Sequence, residues 1–191
     1  MKINRLAEKF AGYMHRMKFK NHPVSFLDCF KDPKDCLVLM PSDMNVLLDA
    51  ASQLPKIAEL FPNRIIKILT TSNIDPRSHE YIKRFTIIKP YPYDLNAFYL
   101  PRKQFIEKAR TPGLSVCIDL DFYPNFFNSS VSLLTGAPVR IGSAKGMGLP
   151  YYNFEINVGD ESTPIKTAYR TFIDVLFNLK GEGSKIASCE T

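Results

Sequence analysis

The chain has 191 residues, of which 45% are hydrophobic and 23% charged, and its formal net charge is +6. This balance of residue types is ordinary for one globular domain. No apolar run is long enough to form a membrane-spanning helix. The basic charge favours acidic partners such as phosphates, nucleic acid or anionic lipid, although a basic surface alone accounts for it equally well. Residues 1–20 lack the apolar centre of a signal peptide, so an intracellular protein is expected.

Residues 1–34 are predicted to form a basic amphipathic helix and a connector. Most basic side chains lie off the apolar stripe, which is typical of attachment to an anionic membrane surface. The commoner use of such a pattern is packing on the helix's own domain or on a second subunit. The stripe consists of Ile3, Leu6, Ala7, Phe10, Met14 and Met17.

The segment after this helix predicts a strand, a turn and a second helix. Cys36–Met40 is an apolar run too short for a helix, which suits a strand covered on both faces. Ser42 and Asp43 are good N-caps, and apolar residues then recur at helical spacing as far as Phe61. A further strand at 64–70 completes a βαβ unit, which implies a parallel sheet.

The same alternation continues to the end of the chain. Strands are predicted at 85–89, 114–119, 139–142 and 153–158, and helices at 75–84, 101–109, 126–135 and 164–179. The fold class is therefore α/β, with a Rossmann-like, mainly parallel, doubly wound sheet of about six strands and flanking helices. This domain is expected to span residues 35–180, followed by a frayed tail at 181–191.

The carboxyl ends of parallel strands are where such folds place their sites, and here that edge carries Ser42, Asp43 and Asn45. The glycine-rich dinucleotide fingerprint and the Walker A loop are both absent from the sequence. The first strand–helix turn contains no glycine, so close backbone contact with a pyrophosphate is not expected. No cofactor is predicted.

Asp119 and Asp121 follow the predicted fourth strand. Two carboxylates at this spacing can hold a divalent cation that carries a nucleotide diphosphate, or begin the site of an aspartyl phosphoryl-transfer enzyme. The favoured interpretation is simpler: Asp119 ends the strand and Asp121 begins a loop, whose bulky Phe-Tyr-Pro leaves little room for phosphate. The three histidines lack the spacing of metal ligands, and no metal site is predicted.

A basic loop follows the fifth predicted strand. Arg140 and Lys145, together with nearby glycines, could contact a phosphate or carboxylate, although a solvated loop is the favoured interpretation. Basic residues do not alternate with aromatic ones as they do in platforms for single-stranded nucleic acid, so nucleic-acid binding is not expected.

Four segments, taken in order, resemble the N-terminal half of glycosyltransferase family 9, the heptosyltransferase family of lipopolysaccharide assembly. They are Cys36–Met40 with its turn, Leu54–Thr70, Val116–Leu120, and Ser129–Gly142, which ends in Leu-Thr-Gly-Ala-Pro-Val-Arg-Ile-Gly. The resemblance covers about residues 35–179. It implies an acceptor-binding domain, because family enzymes bind the acceptor on this half and the nucleotide-sugar mainly on a second domain.

The resemblance also shows a departure at the turn after the first strand. Family enzymes have a glycine followed by an aspartate, the proposed general base, where this chain has Met44 and Asn45. An asparagine amide cannot act as a base. The first hypothesis is therefore a non-catalytic or degenerate module that binds or scaffolds in cell-envelope glycan assembly.

Two alternatives remain. The first is the acceptor-binding half of an active, heptosyltransferase-like enzyme completed by a partner chain. Asp43 is then the base, and the substrate contacts are Ser42, Asn45, Asp119, Arg140 and Lys145. The second is a metal-dependent enzyme that uses Asp119 and Asp121.

The resemblance to one half of a larger enzyme also predicts partners. A face left by the missing second domain is expected to bind another copy of the chain or a second protein. An anionic glycolipid or membrane surface is a further expected partner. The expected location is the cytoplasm. The basic helix suggests peripheral attachment to the inner membrane as an alternative.

Overall fold

The computed structural model describes residues 5–19, 29–30, 33–71 and 80–181, with side chains from residue 8 onward in the first of these ranges. Most of the predicted connector, most of the predicted helix at 75–84 and nearly all of the tail lie outside the described residues. The proposed domain boundaries at residues 34 and 180 stay predictions.

A six-stranded parallel sheet forms the centre of the fold, as predicted. The strands lie in the order β3-β2-β1-β4-β5-β6, and every neighbouring pair is parallel. This order places the first strand in the middle and builds outward on both sides, which is the Rossmann-like arrangement. The strands are β1 (Asp35–Leu39), β2 (Ile65–Leu69), β3 (Thr86–Ile88), β4 (Leu114–Asp119), β5 (Val139–Ser143) and β6 (Phe154–Ile156).

Helices cover both faces of the sheet, which confirms the doubly wound class. They are α1 (Arg5–Lys18), α2 (Met44–Ala51), α3 (Leu54–Leu60), α4 (Lys103–Ala109), α5 (Phe126–Thr135) and α6 (Ile165–Lys180). One core cluster joins the sheet to α2, α3 and α6, and a second joins it to α4 and α5. Residues 37–39 of β1 are fully buried because both faces of the central strand are covered.

The helix predicted from residue 44 to residue 61 is wrong in one respect, because the structure breaks it into α2 and α3. Pro55 lies in the first turn of α3. Proline has no N–H to donate to the carbonyl four residues earlier, and its ring collides with that carbonyl, so a continuous helix cannot form through it. Other boundaries agree closely, and Gly136 ends α5 in the left-handed conformation with φ 72°.

Helix α1 lies against the domain at the start of α5. The His15 ring stacks on Phe126, with centroids 6.0 Å apart and planes 13° from parallel, and it meets Tyr151 edge-on at 5.8 Å. Packing on its own domain was one of the two predicted uses of this helix. Among the residues that the structure describes, no helix has the length and apolarity needed to span a bilayer.

Candidate functional site at the carboxyl edge of the sheet

Two adjacent strands bring the predicted polar side chains to one edge. The turn after β1 carries Ser42, Asp43 and Asn45, while Asp119 ends β4 and Asp121 follows it. Because β1 and β4 are parallel neighbours, their carboxyl ends meet there. The structure therefore groups these five residues.

Asp119 is a buried carboxylate whose two oxygens both accept hydrogen bonds from the protein. Oδ2 accepts from the Tyr152 hydroxyl at 2.5 Å. Oδ1 accepts from the Asn128 side-chain amide at 3.2 Å and from the Asp121 backbone N–H at 2.9 Å. Burying a carboxylate is costly unless donors surround it, and here they do. Asp119 therefore ties β4 to α5 and to the loop before β6.

Tyr152 reaches Asp119 because β5 leaves room for its ring. A Cβ on Gly142 would lie only 2.8 Å from Cγ of Tyr152, so the ring lies directly over the glycine. The Ser129 hydroxyl is 2.9 Å from the Tyr152 hydroxyl. When Asp119 is ionised, Tyr152 donates its one proton to that carboxylate, so Ser129 is the donor in this second bond. Gly142, one of the glycines near the basic loop, therefore accommodates an aromatic ring.

The pKa of Asp119 is raised from 3.8 to about 7. Burial is the main cause and the charge of Asp121 adds to it, while hydrogen bonds from Tyr152, Asp121 and Asn128 act in the opposite direction. Burial also raises the pKa of Tyr152 well above its usual value, and the negative charge of Asp119 raises it further. Near neutral pH the Asp119 carboxyl is therefore a mixture of protonated and ionised forms.

Asp121 joins the turn after β1 to α5. Its Oδ2 accepts from the Asn125 side-chain amide at 2.8 Å, from the Ser42 backbone N–H at 3.2 Å and from the Ser42 hydroxyl at 3.4 Å. The Asn125 side-chain oxygen in turn caps α5 by accepting from the Asn128 N–H at 3.2 Å. Each carboxylate of the Asp119–Asp121 pair is therefore held by donors from other elements.

Asp43 is exposed at this edge and serves as the N-cap of α2. Its Oδ1 accepts from the Asn45 backbone N–H at 2.8 Å and from the Asn45 side-chain amide at 2.9 Å. The cap satisfies one of the N–H groups that a helix start leaves unpaired. Asp43 and Asn45 therefore form a local capping pair.

An open cleft of about 180 Å³ lies beside this edge. Its polar lining comes from Ser42, Thr71 and Asn125, with Glu8 of α1 on one side and Phe126 at its wall. Hydroxyl, amide and carboxylate groups together offer both donors and acceptors. The cleft can therefore take a small polar ligand.

Arg140 and Lys145 lie in a separate group on β5 and the loop after it. The Arg140 guanidinium donates to the backbone carbonyls of Ala137 at 2.9 Å, Tyr151 at 2.9 Å and Pro150 at 3.3 Å. The Lys145 ammonium donates to the Asp160 carbonyl at 2.5 Å. Both cations hold loop backbone, and Arg140 fixes the segment that carries Tyr152.

Metal ligands do not gather at this edge. Within residues 5–19, 29–30, 33–71 and 80–181, no three or more histidine, cysteine, aspartate or glutamate side chains lie where they could hold a metal ion. Asp119 and Asp121 already accept hydrogen bonds through the oxygens that a cation would need.

Sequence reasoning missed four residues of this network: Asn125, Asn128, Ser129 and Tyr152. A signal for three of them was available, because Asn125, Asn128 and Ser129 stand among the phenylalanines that open the predicted helix at 126–135. The structure buries that helix almost wholly. Buried polar side chains require partners, and the nearest candidates in sequence were the carboxylates at the end of β4. Tyr152 carried no such signal, since only the tertiary fold brings its loop back over β5.

Comparison with known proteins supports the fold. No family model matches the chain, and no curated protein matches it. Among solved structures, E. coli ADP-heptose lps heptosyltransferase II superposes on 76% of this chain with a TM-score of 0.53 and 16% identity. A glycosyltransferase family 9 protein from Veillonella parvula DSM 2008 superposes on 78% with a TM-score of 0.52 and 15% identity.

The matches cover only part of each solved protein. This chain spans 40% of the E. coli enzyme and 42% of the Veillonella protein. That share corresponds to one domain-sized half, as the sequence resemblance predicted. The chain is therefore structurally similar to one Rossmann-like half of glycosyltransferase family 9 proteins.

Proposed function

We propose that this chain is a non-catalytic binding module of glycosyltransferase family 9 type, which recognises a saccharide without transferring sugar to it. The turn after β1 carries the proposal. Asn45 occupies the position at which the resemblance predicts a catalytic aspartate, and its amide cannot take a proton. The carboxylate two residues earlier, Asp43, is used to cap α2.

The neighbouring carboxylates support the same conclusion. A general base or a metal ligand needs an oxygen that faces the substrate. Asp119 is buried, with both oxygens accepting hydrogen bonds, and Oδ2 of Asp121 accepts from Ser42 and Asn125. These contacts argue against the metal-dependent alternative.

The ligand class follows from the cleft beside the edge. Asp121 holds Ser42 and Asn125 in place there. With Thr71 they line the cleft with neutral hydroxyl and amide groups, which match the hydroxyl groups of a sugar. The similar E. coli protein is named as an ADP-heptose lps heptosyltransferase. We therefore propose that the module binds a saccharide of the cell envelope, with one sugar of the lipopolysaccharide core oligosaccharide seated in the cleft.

The test mixes the purified chain with ADP-heptose and lipopolysaccharide core oligosaccharide. Calorimetry measures binding, and release of ADP measures transfer or hydrolysis. We expect oligosaccharide binding without ADP release. Ser42→Ala should weaken binding about tenfold, the loss of one hydrogen bond to a ligand. Thr86→Ala, an exposed change at the opposite edge of the sheet, is the matched control and should leave binding unchanged.

Two results would overturn the proposal. ADP release that Asp43→Ala abolishes, and that the exposed-surface control Asp174→Ala preserves, would show catalysis. Failure of the wild-type chain to bind the oligosaccharide would reject the ligand class.

The second candidate is an active glycosyltransferase completed by a partner chain that carries the nucleotide-sugar site. One observation favours it: Asp43 is exposed, and its two hydrogen bonds both end on Oδ1, so that Oδ2 takes part in neither. Arg140 and Lys145, the proposed acceptor-phosphate contacts, weaken it, because both already donate to backbone carbonyls.

Affinity capture of the tagged chain from its own cells separates the two candidates. A glycosyltransferase-like partner, whose addition produces ADP release that depends on Asp43, would establish the split enzyme. A self-associated chain without such a partner would favour the non-catalytic module. The expected oligomer and the expected cytoplasmic location stay predictions.

A further inference from the structure

Among the side chains that the structure describes on α1, Phe10, Met14 and Met17 of the predicted stripe, together with Tyr13, form an apolar stripe that points away from the domain on which the helix packs. Phe10, Tyr13, Met14 and Met17 are between 45% and 69% exposed. At about 3.6 residues per turn they share one stripe roughly 100° wide. A helix on the surface of a globular domain ordinarily turns such a stripe inward.

The face turned to the domain is built from small and polar residues instead. A Cβ on Gly12 would lie 3.6 Å from the Tyr151 hydroxyl and 3.8 Å from the Phe126 ring, so the helix backbone approaches closely there. His15, one turn on, stacks against Phe126. The domain therefore holds α1 by its Gly12–His15 face and leaves the apolar stripe exposed.

Cations flank the exposed stripe on both sides. Lys9 and Arg16 project along one border at helical spacing, and Lys18 lies at the other. An apolar stripe bordered by lysine and arginine is the pattern of a helix that lies in a membrane interface. The aliphatic parts of such side chains extend beside the apolar surface while their charges reach lipid phosphates.

A loop beside α1 extends the apolar surface. A groove of about 500 Å³ runs between the helix and residues 96–100, lined by Phe10, Met14, Phe98 and Leu100 among others. The rings of Phe98 and Tyr99 are each about half exposed. Aromatic side chains are enriched at the level of lipid headgroups.

The backbone of this loop is fixed by its own hydrogen bonds. The Asn96 side-chain oxygen accepts from the N–H groups of Phe98 at 2.9 Å and Leu100 at 3.0 Å. Tyr99 has φ 61°, a left-handed conformation that non-glycine residues rarely adopt, and its N–H donates to the Asn96 carbonyl at 3.0 Å. The exposed aromatic rings are therefore presented on an ordered backbone.

We propose that α1 and the loop 96–100 form a docking surface for an anionic lipid bilayer. The apolar stripe lies among the headgroups, and the flanking cations contact lipid phosphates. A second copy of the chain fits this surface less well. Pairing two copies through it would bring their cations together, and each copy carries a formal net charge of +6, whereas anionic lipid neutralises that charge.

Sedimentation with lipid vesicles tests the proposal on the full chain. We expect binding to phosphatidylcholine vesicles that contain phosphatidylglycerol, and little binding to phosphatidylcholine alone. Phe10→Ser combined with Met17→Ser should reduce binding at least about tenfold through lost apolar contact. Ile65→Ser is the matched control, because Ile65 is 57% exposed at the amino end of β2, and it should leave binding unchanged.

A second pair of variants tests whether lipid binding depends on the cations beside the α1 stripe or only on the net charge of the chain. Lys9→Gln with Arg16→Gln should weaken binding about fivefold for each cation removed. Lys56→Gln with Lys83→Gln lowers the net charge equally on other exposed surfaces and should have little effect.

Three results would overturn the proposal. The first is failure to bind the anionic vesicles, and the second is an equal loss of binding in both lysine–arginine and lysine–lysine variants. The third is a dimer in solution that Phe10→Ser dissociates, which would identify a second copy as the occupant of this face. Saccharide binding through Ser42 is measured separately, so either proposal can fail alone.

Discussion

The first and last helices that the structure describes, α1 and α6, have similar amphipathic patterns and use them in opposite ways. The stripe of α6 is buried in the core, whereas the stripe of α1 is exposed. The buried residues of α6 are Ala168, Tyr169, Phe172, Ile173, Leu176 and Phe177.

The difference arises from what each helix meets. Helix α6 lies over a sheet face that must be covered, so apolar side chains are drawn inward. Helix α1 meets an edge already filled by the rings of Phe126 and Tyr151, where only a small-residue face can approach closely. Periodicity therefore reveals that a helix has an apolar stripe, but the available surface decides which way that stripe points.

The largest predicted effect is a difference in stability between two substitutions, one at Phe172 in the stripe of α6 and one at Phe10 in the stripe of α1. Phe172 is fully buried, with its ring centroid 5.1 Å from that of Phe122. Phe172→Ala should lower the free energy of unfolding by about 3–5 kcal/mol through lost burial and a cavity. Phe10→Ala should change it by less than about 0.5 kcal/mol because the side chain is exposed. Urea unfolding measures both, and equal losses would mean that the stripe of α1 is covered in solution.

The second effect is a pH dependence of stability that arises from the buried carboxyl of Asp119, on the sheet face that α5 covers. The folded pKa of Asp119 is about 7, above the ordinary 3.8, so the folded state binds the proton more tightly than the unfolded state. The protonated carboxyl therefore adds up to about 4 kcal/mol to the free energy of unfolding. This stabilisation is fully present below about pH 4 and is lost as the pH rises to about 7.

The measurement is the difference in unfolding free energy between wild type and Asp119→Asn across this pH range. In this variant the asparagine oxygen still accepts from Asn128 and from the Asp121 N–H, and the asparagine NH2 group can donate to the Tyr152 oxygen. A difference that does not change with pH would contradict the raised pKa.

The smallest predicted effect is the pH dependence of α1 docking. It weakens as the pH falls, whereas the contribution of Asp119 grows as the pH falls. Burial lowers the pKa of His15 below 6.5, and the charge of Lys18 lowers it further. The docking of α1 should therefore weaken as pH falls below about 6.5, by less than about 1 kcal/mol for this half-buried group. Hydrogen exchange of the α1 amides, corrected for intrinsic rates, measures it. His15→Phe should remove the dependence, and its persistence in that variant would assign it to another group.

The candidate site was predictable where a contact follows from strand order. Ser42, Asp43 and Asn45 were predicted to share an edge, and Asp119 joins them because β1 and β4 are neighbours. Arg140 was not predictable in the same way. Its sequence neighbours suggested a basic loop, yet its guanidinium donates to three backbone carbonyls. A local pattern identifies a cation, but only the returning chain shows what it binds.

By itself, the sequence determined the elements and their alternation. Short apolar runs specify buried strands, and capping residues specify helix ends, such as Gly136, because these signals act within a few residues. Only the tertiary structure decided that Tyr152 reaches Asp119 across Gly142, and that α1 turns its apolar stripe outward. Those outcomes depend on contacts between segments far apart in the chain, which local spacing does not encode.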